Sequence, residues 1–340
     1  MDLIYTDASR HDIGVMRGYS FDLAFGADEN DFECAIASRD HCCEDGSYLY
    51  IEGTEYGGIV DEIAVDTAAG IVKYNGRTWH GILASKVVVP LRTGEASTSA
   101  VTIKTTEGGT SLVNAYLVIS GDANACMAWL INRIGLDSLF AVDGIAGVNI
   151  NQYKFDRYTD AYSGIRKMLK SVGYKLTMSF DAVSRKTILD AVPIDNYSAE
   201  DISADLFDFT AGKKYKSVNH LICLGAGELA GRTVVHLYAD ADGNISTTQT
   251  LFGADEYVAV YENTSDGADE LAADGAERLA ELWQQEGISI IVFADTFDYG
   301  IGDIVSASDP ITKLTITAKI SKKIVNISND VTTIQYEVGD

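Results

Sequence analysis

Proline is almost missing from this chain, at 3 residues in 340. That excludes Pro-rich linkers and polyproline recognition segments. Disorder is excluded as well, because 46% of the residues are hydrophobic and only 22% are charged. Basic residues are also scarce. Lys and Arg total 26 against 50 Asp and Glu, giving a formal net charge of −24 and a pI near 4.4. A nucleic-acid binder needs clustered Lys and Arg to displace counterions from phosphates, so DNA or RNA as a bound partner is excluded, and so is docking on an anionic membrane. The five cysteines (Cys34, Cys42, Cys43, Cys126 and Cys223) are odd in number and include no Cys-x-x-Cys pair. They suit neither a disulfide framework nor a zinc knuckle and are expected as free thiols of a reducing cytoplasm. No run of about 18 apolar residues offers a membrane-spanning helix. The start, Met1-Asp2-Leu3-Ile4-Tyr5-Thr6-Asp7, lacks the basic and apolar stretches of a signal peptide.

What the chain does have is glycine, 31 residues of it, spread among short alternating segments. Tyr19, Phe21, Leu23 and Phe25 repeat with period two, and runs at 32–37, 48–51, 59–65 and 71–74 follow. Glu44-Asp45-Gly46, Tyr56-Gly57-Gly58 and Asn75-Gly76 read as turns, the last as a type I′ hairpin. Residues 1–95 are therefore expected to form a small barrel or sandwich. Residues 96–205 read as α+β. One helix is predicted over 123–134, with Gly135 just past its end. A second is capped by Thr159 or Asp160, carries Tyr162, Ile165, Met168, Leu169 and Val172 as its apolar stripe, and stops at Gly173. A hairpin of 174–180 and 186–192 follows. From 206 to 340 strands return, at 217–224, 233–238, 288–293, 303–306, 311–320 and 332–338. A helix over 268–285 interrupts them, with Leu271, Gly275, Leu279, Leu282 and Trp283 on one face.

Candidate chemistry is thin. Gly225-Ala226-Gly227-Glu228-Leu229-Ala230-Gly231 resembles a dinucleotide loop, but its third glycine comes one residue late and a strand follows, so no helix N-terminus awaits a pyrophosphate. A strand connection is the better reading. Asp240, Asp242 and Asn244 alternate as calcium ligands do, yet lack the distal bidentate carboxylate, and read as a hairpin turn. His41-Cys42-Cys43 places neighbours on opposite faces of a strand, which keeps them from closing on one metal. His220 and His236 can face each other across paired strands without an evident third ligand, and Cys126 reads as helix packing. There is no Gly-x-Ser-x-Gly elbow and no His-Glu-x-x-His. No catalytic, cofactor-binding or metal-binding residue is assigned, and no enzyme activity or cofactor is expected.

Several stretches resemble a known family when taken in order. They are Ser9-Arg10-His11-Asp12 with Ser20-Phe21-Asp22-Leu23, then Glu55-Tyr56-Gly57-Gly58-Ile59-Val60, and Tyr74-Asn75-Gly76-Arg77-Thr78-Trp79-His80-Gly81-Ile82-Leu83. Val218-Asn219-His220-Leu221-Ile222-Cys223-Leu224-Gly225, Val235-His236-Leu237-Tyr238-Ala239-Asp240 and Tyr299-Gly300-Ile301-Gly302-Asp303-Ile304-Val305 complete the set. Together they are similar to siphophage and prophage tail-tip proteins related to the baseplate hub of contractile phage tails.

The resemblance implies a β-rich α+β chain. Two tube-like β-barrel domains, at 1–95 and 206–340, would flank an α+β domain at 96–205, with an insertion at about 230–290 in the second barrel. It implies a homotrimeric ring that adapts a six-fold tail tube to a three-fold tip. The expected partners are the distal tail protein or tube end, the tape-measure protein, and a central spike or fibre. DNA would pass through without being bound, past an acidic lining. The protein would sit in the virion at the tail tip after assembly in the bacterial host cytoplasm. Two other readings are a receptor- or glycan-binding module, for which the 18 tyrosines speak, and a cell-wall hydrolase.

Overall fold

The structure, a computed structural model, describes residues 1–91, 95, 97–104, 116–197, 208–212, 217–263, 268–283, 287–293, 299–308, 315–328 and 331–339. Seven strands open the chain: β1 (Leu3–Thr6), β2 (Asp12–Met16), β3 (Ser20–Gly26), β4 (Asn30–Ala37), β5 (Tyr48–Tyr50), β6 (Gly57–Asp66) and β7 (Ile71–Thr78). They lead into a short helix, α1 (Trp79–Ala84). A mixed stretch holds β8 (Val101–Lys104), β9 (Val118–Asp122), α2 (Ala123–Arg133), β10 (Phe140–Val142), β11 (Asn149–Lys154), α3 (Ala161–Lys170), β12 (Tyr174–Asp181) and β13 (Lys186–Pro193). After β14 (Asp208–Gly212) come β15 (His220–Leu224), β16 (Val234–Ala239), β17 (Ile245–Ser246), β18 (Val258–Glu262) and α4 (Ala268–Trp283). The last strands are β19 (Gly287–Phe293), β20 (Ile304–Ser308), β21 (Thr315–Ser328) and β22 (Val331–Val338). The chain divides into two compact units, Met1–Phe209 with Ser289–Asp340, and Thr210–Ile288.

The β-rich α+β class holds. In the first unit, the opening and closing strands do not form separate sheets. They share one twelve-stranded sheet of order β14-β19-β22-β21-β3-β4-β7-β6-β5-β1-β2, with β20 pairing to β21. The junction is antiparallel β21·β3, where Ser328 faces Ser20 and Lys322 faces Gly26. The pairings among the described residues close neither set of strands into a barrel.

Alternation decides which way each strand faces. In β4, Phe32, Cys34 and Ile36 are buried while Asp31 and Glu33 are exposed. The core continues into the mixed stretch. Trp79 stacks on Phe180 at 5.2 Å and meets Tyr48 edge-on at 5.3 Å. Met127, Leu130, Ile165 and Met168, from α2 and α3, fill the same cluster.

One expected turn is elsewhere. Asn75 and Gly76 lie inside β7, and the β6–β7 hairpin turns at 67–70 instead. There Gly70 takes φ +67° and the Asp66 carboxylate accepts hydrogen bonds from the amides of Ala68 and Ala69, both at 2.9 Å. Gly76 meets a different need, because a Cβ on it would stand 1.9 Å from the Ile59 carbonyl oxygen. Gly57 and Gly58 likewise open β6 rather than forming a turn. The two middle helices match their predictions. Asp122 caps α2 through the amides of Asn124 and Ala125, and Asp160 caps α3 through Ser163. Gly135 and Gly173 follow at φ +74° and +78°.

The second unit is a four-stranded sheet of order β17-β16-β15-β18, covered on one face by α4. Leu271 and Leu279 pack on Leu221, Cys223 and Leu237. Gly275 lets the helix approach closely, since a Cβ there would lie 2.4 Å from Cys223 Sγ. The predicted apolar face of this helix is the one that packs.

Candidate functional site

The large sheet leaves one face open, and that face is acidic. Strand pairing aligns Asn326 with Asp22, Asp22 with Glu33, Glu33 with Asn75, and Asn75 with Glu62. A polar row thus crosses five strands, β21-β3-β4-β7-β6. Asp31 and Asp61 flank it, and all five acids of this group are exposed. Asp22 stands directly opposite Glu33, a like-charge pair that costs stability in a sheet. Although Asp22 is exposed, partial loss of hydration against the sheet raises its carboxyl above the ordinary value, and the neighbouring Glu33, Glu29 and Asp31 push the same way, while a hydrogen bond with Asn326 opposes them. Two cations relieve the field locally. Lys73 reaches Glu33 at 2.9 Å, and Arg77 grips Asp61 through two bonds of 2.8 Å. A shallow trough of about 580 Å³ runs over these residues.

Beneath the same sheet lies a cleft of about 520 Å³ whose charged groups are engaged with one another. Lys323, 1% exposed, binds Glu55 Oε1 at 3.0 Å, and Glu55 Oε2 lies 3.5 Å from His80 Nε2. Tyr56 presents its ring to the Lys323 ammonium at 5.1 Å, and Phe25 stacks on His80 at 4.2 Å. Burial works against the Glu55 carboxylate, but the Lys323 charge and the His80 contact outweigh it and hold the carboxyl down at about 2. Burial lowers the His80 imidazole, against the pull of Glu55. Its Nδ1 is buried without a hydrogen-bond partner. Across the cleft Lys175 joins Asp303 at 2.5 Å and Asp195 at 2.9 Å. Desolvation opposes the Lys175 charge, yet the two carboxylates raise it above its ordinary value. These networks tie β21 to α1, and β12 to the segment before β20. They clamp the fold.

The residues singled out in the sequence fall into quiet places. Gly225–Gly231 joins β15 to β16, antiparallel neighbours, as a strand connection should. The Asp240 carboxylate accepts from the amides of Asp242 and Asn244, both at 2.9 Å, so it serves the β16–β17 hairpin. The Tyr74 hydroxyl sits 2.9 Å from His41 Nδ1 and accepts from the amide of Cys42 at 3.0 Å. Burial raises the Cys42 thiol and raises that of Cys43 further. Cys126 is buried on α2, and its thiol is pushed up to about 12. His220 and His236 do meet, Nε2 to Nδ1 at 2.8 Å, and the third partner missing from the sequence is Glu256, 2.7 Å from His220 Nδ1. Among the described residues no group of three or more His, Cys, Asp or Glu is arranged to hold a metal. Sequence reading missed the Glu55–His80–Lys323 cluster, for which no local signal exists. It also missed the acidic row, which has a partial signal in the outward alternation of Asp22, Asp31 and Glu33.

No protein-family model matches the chain. No curated protein matches it. Solved structures do match. The 43 kDa tail protein of prophage MuSo2 from Shewanella oneidensis superposes with a TM-score of 0.56 at 10% identity, over 100% of this chain and 98% of that one. A tail protein from Neisseria meningitidis gives 0.51 at 11% identity, over 100% and 96%. A prophage tail protein from Listeria monocytogenes gives 0.50 at 12% identity, over 99% and 94%. At these identities the likeness is one of fold, and it runs the length of the chain.

Proposed function

We propose, from a fold shared end to end with prophage tail proteins, that this chain is a structural hub protein of a bacteriophage or prophage-derived tail. Three copies form a ring that adapts a six-fold tube to a three-fold tip. The single observation behind this reading is the mutual coverage: 100% of this chain and 98% of the Shewanella tail protein superpose. The open acidic face supports it physically. A surface carrying Asp22, Asp31, Glu33 and Glu62 repels a DNA backbone, so DNA can travel past without sticking. In such a ring the strands contributed by 1–95 and by 206–340, which share one sheet here, dock the tube end or distal tail protein. The tape-measure protein and a central spike or fibre occupy the axis. The role is assembly and not catalysis. Ion pairs consume the charges around the cleft, and burial holds the thiols in their protonated, unreactive form. The protein works in the virion after assembly in the host cytoplasm.

Light scattering on the purified chain, with particle images, tests the reading. A trimer or a three-membered ring is expected. A species that stays monomeric at every concentration contradicts it.

A further inference from the structure

Acids outnumber bases by 50 to 26 in this chain, yet one pocket of the first unit has only cations for charged walls. It encloses about 260 Å³ between α3, the start of β12 and β21. Arg166, Lys167, Lys170, Lys175 and Lys319 line it, and no Asp or Glu does. Two of the five are already matched. Lys175 is held by Asp303 and Asp195, and Lys167 by Asp156 at 2.8 Å. Among the described residues, Arg166, Lys170 and Lys319 have no carboxylate within ion-pair distance. Arg166 lays its guanidinium over the Tyr162 ring at 5.2 Å, Lys170 is exposed, and Lys319 is half-buried. Positive charge is favourable at a helix C-terminus, and that accounts for Lys167 and Lys170 in the last turn of α3. It does not account for Arg166, or for Lys319, which comes from β21. Arg166 and Lys170 also stand four residues apart on one helix, where like charges cost stability.

We propose that this pocket docks a short, extended acidic segment of another polypeptide, with carboxylates at alternate residues. Charge complementarity and spacing carry the assignment. Side chains on one side of an extended chain repeat about every 6.8 Å. Residues one helical turn apart, as Arg166 and Lys170 are, stand about 6 Å apart. Two alternate carboxylates can therefore meet both cations at once, and the guanidinium fork can take one of them through two hydrogen bonds. Lys319 adds a third charge from β21. Tyr174, Leu176 and Ile301 bring apolar surface to the same pocket, which suits a peptide better than a hydrated inorganic ion. The rest of the molecule limits the length of the ligand. Charge acts over a Debye length of about 8 Å at physiological salt, so a short segment feels the local cations. A long polyanion such as DNA runs on over a surface that totals −24 and is repelled there.

Fluorescence anisotropy on the full chain at low salt provides the test. The probe is labelled hexaglutamate, which its own repulsion keeps extended. Hexaglutamine is the uncharged control, and oligothymidylate and citrate are the competing anions. Arg166→Glu with Lys170→Glu reverses the pocket. Lys170→Glu alone, at an exposed side chain, serves if loss of the Arg166–Tyr162 contact unfolds the double variant. Arg17→Glu with Arg39→Glu makes the same change in net charge at side chains 78% and 85% exposed outside the pocket. Circular dichroism checks that each variant is folded. Hexaglutamate is expected to bind the wild type and hexaglutamine is not. The affinity should fall at least about tenfold in the pocket double variant, by part of that in Lys170→Glu, and by less than about twofold in the Arg17 and Arg39 control. Absence of saturable hexaglutamate binding overturns the proposal, and so does an equal loss in the control. Oligothymidylate bound as tightly as the peptide would give the site to nucleic acid instead. Citrate displacing hexaglutamate at equal concentration would reduce it to a small-anion pocket. Either result overturns the docking of a peptide.

Discussion

Lys323 lies in β21 with its ammonium sealed against Glu55 and two tyrosine rings. Removing one partner of such a buried pair leaves the other charge without compensation. Lys323→Met is therefore expected to lower the stability of the first unit by about 3 kcal/mol, read from urea unfolding. Glu55 and His80 also set the response to acid. Both are held below their ordinary values in the folded chain. The unfolded chain therefore binds more protons at each, and stability falls as pH falls. The loss begins below the unfolded histidine value of 6.5 and deepens between 4.5 and about 2 as Glu55 is forced to protonate. Unfolding midpoints measured from pH 7 to pH 3 should decline over that window, and Glu55→Gln should flatten its lower part. At this scale the sequence was readable where one residue acts on its immediate neighbours, as with Asp160 capping α3. It was silent on Glu55, His80 and Lys323, because nothing local marks three residues that meet only through tertiary packing.

Elements show the same division. α2 and α3 could be read in advance because capping side chains, terminal glycines and an apolar stripe are all local, and α4 could be read from its apolar stripe alone. Strands could be read as strands, but their neighbours could not. Asn75-Gly76 has the composition of a hairpin turn and lies in a strand interior, because close packing against Ile59 requires a glycine there as firmly as a turn would. The two roles of glycine predict different costs. Gly70→Ala is strained only by its positive φ and should cost about 1 kcal/mol. Gly76→Ala must push the β6 backbone away and should cost more than about 2 kcal/mol. Thermal unfolding of the pair gives the ranking, and an equal effect would mean that the β6–β7 contact yields easily. Asp122→Ala should exceed the usual cost of about 1 kcal/mol for a lost cap, because that carboxylate also accepts from the amides of Ala146 and Gly147.

Across the whole molecule, charge is a property of surfaces, and composition alone could not say where the acids gather. Pairing β21 with β3 brings Asn326 beside Asp22 and completes the polar row. If that row keeps nucleic acid from adhering, Asp22→Lys with Glu33→Lys should reverse its effect while moving the net charge by only four units, from −24 to −20. The double variant is expected to retain duplex DNA in a low-salt mobility assay and release it as salt rises, while the wild type retains none. Equal behaviour of the two proteins would remove the row from the account of function.

The union of β3 with β21 also has a consequence for biosynthesis. Ser20 waits for Ser328, and at a translation rate of about 5–20 residues per second the interval is roughly 15–60 seconds. Throughout it the nascent β3 lacks one neighbour, a sticky border of the kind that recruits other polypeptides. Thr210–Ile288 can condense as a body of its own before the last strands leave the ribosome. The large sheet should therefore mature last, and chaperone dependence should track the delay in delivering β21.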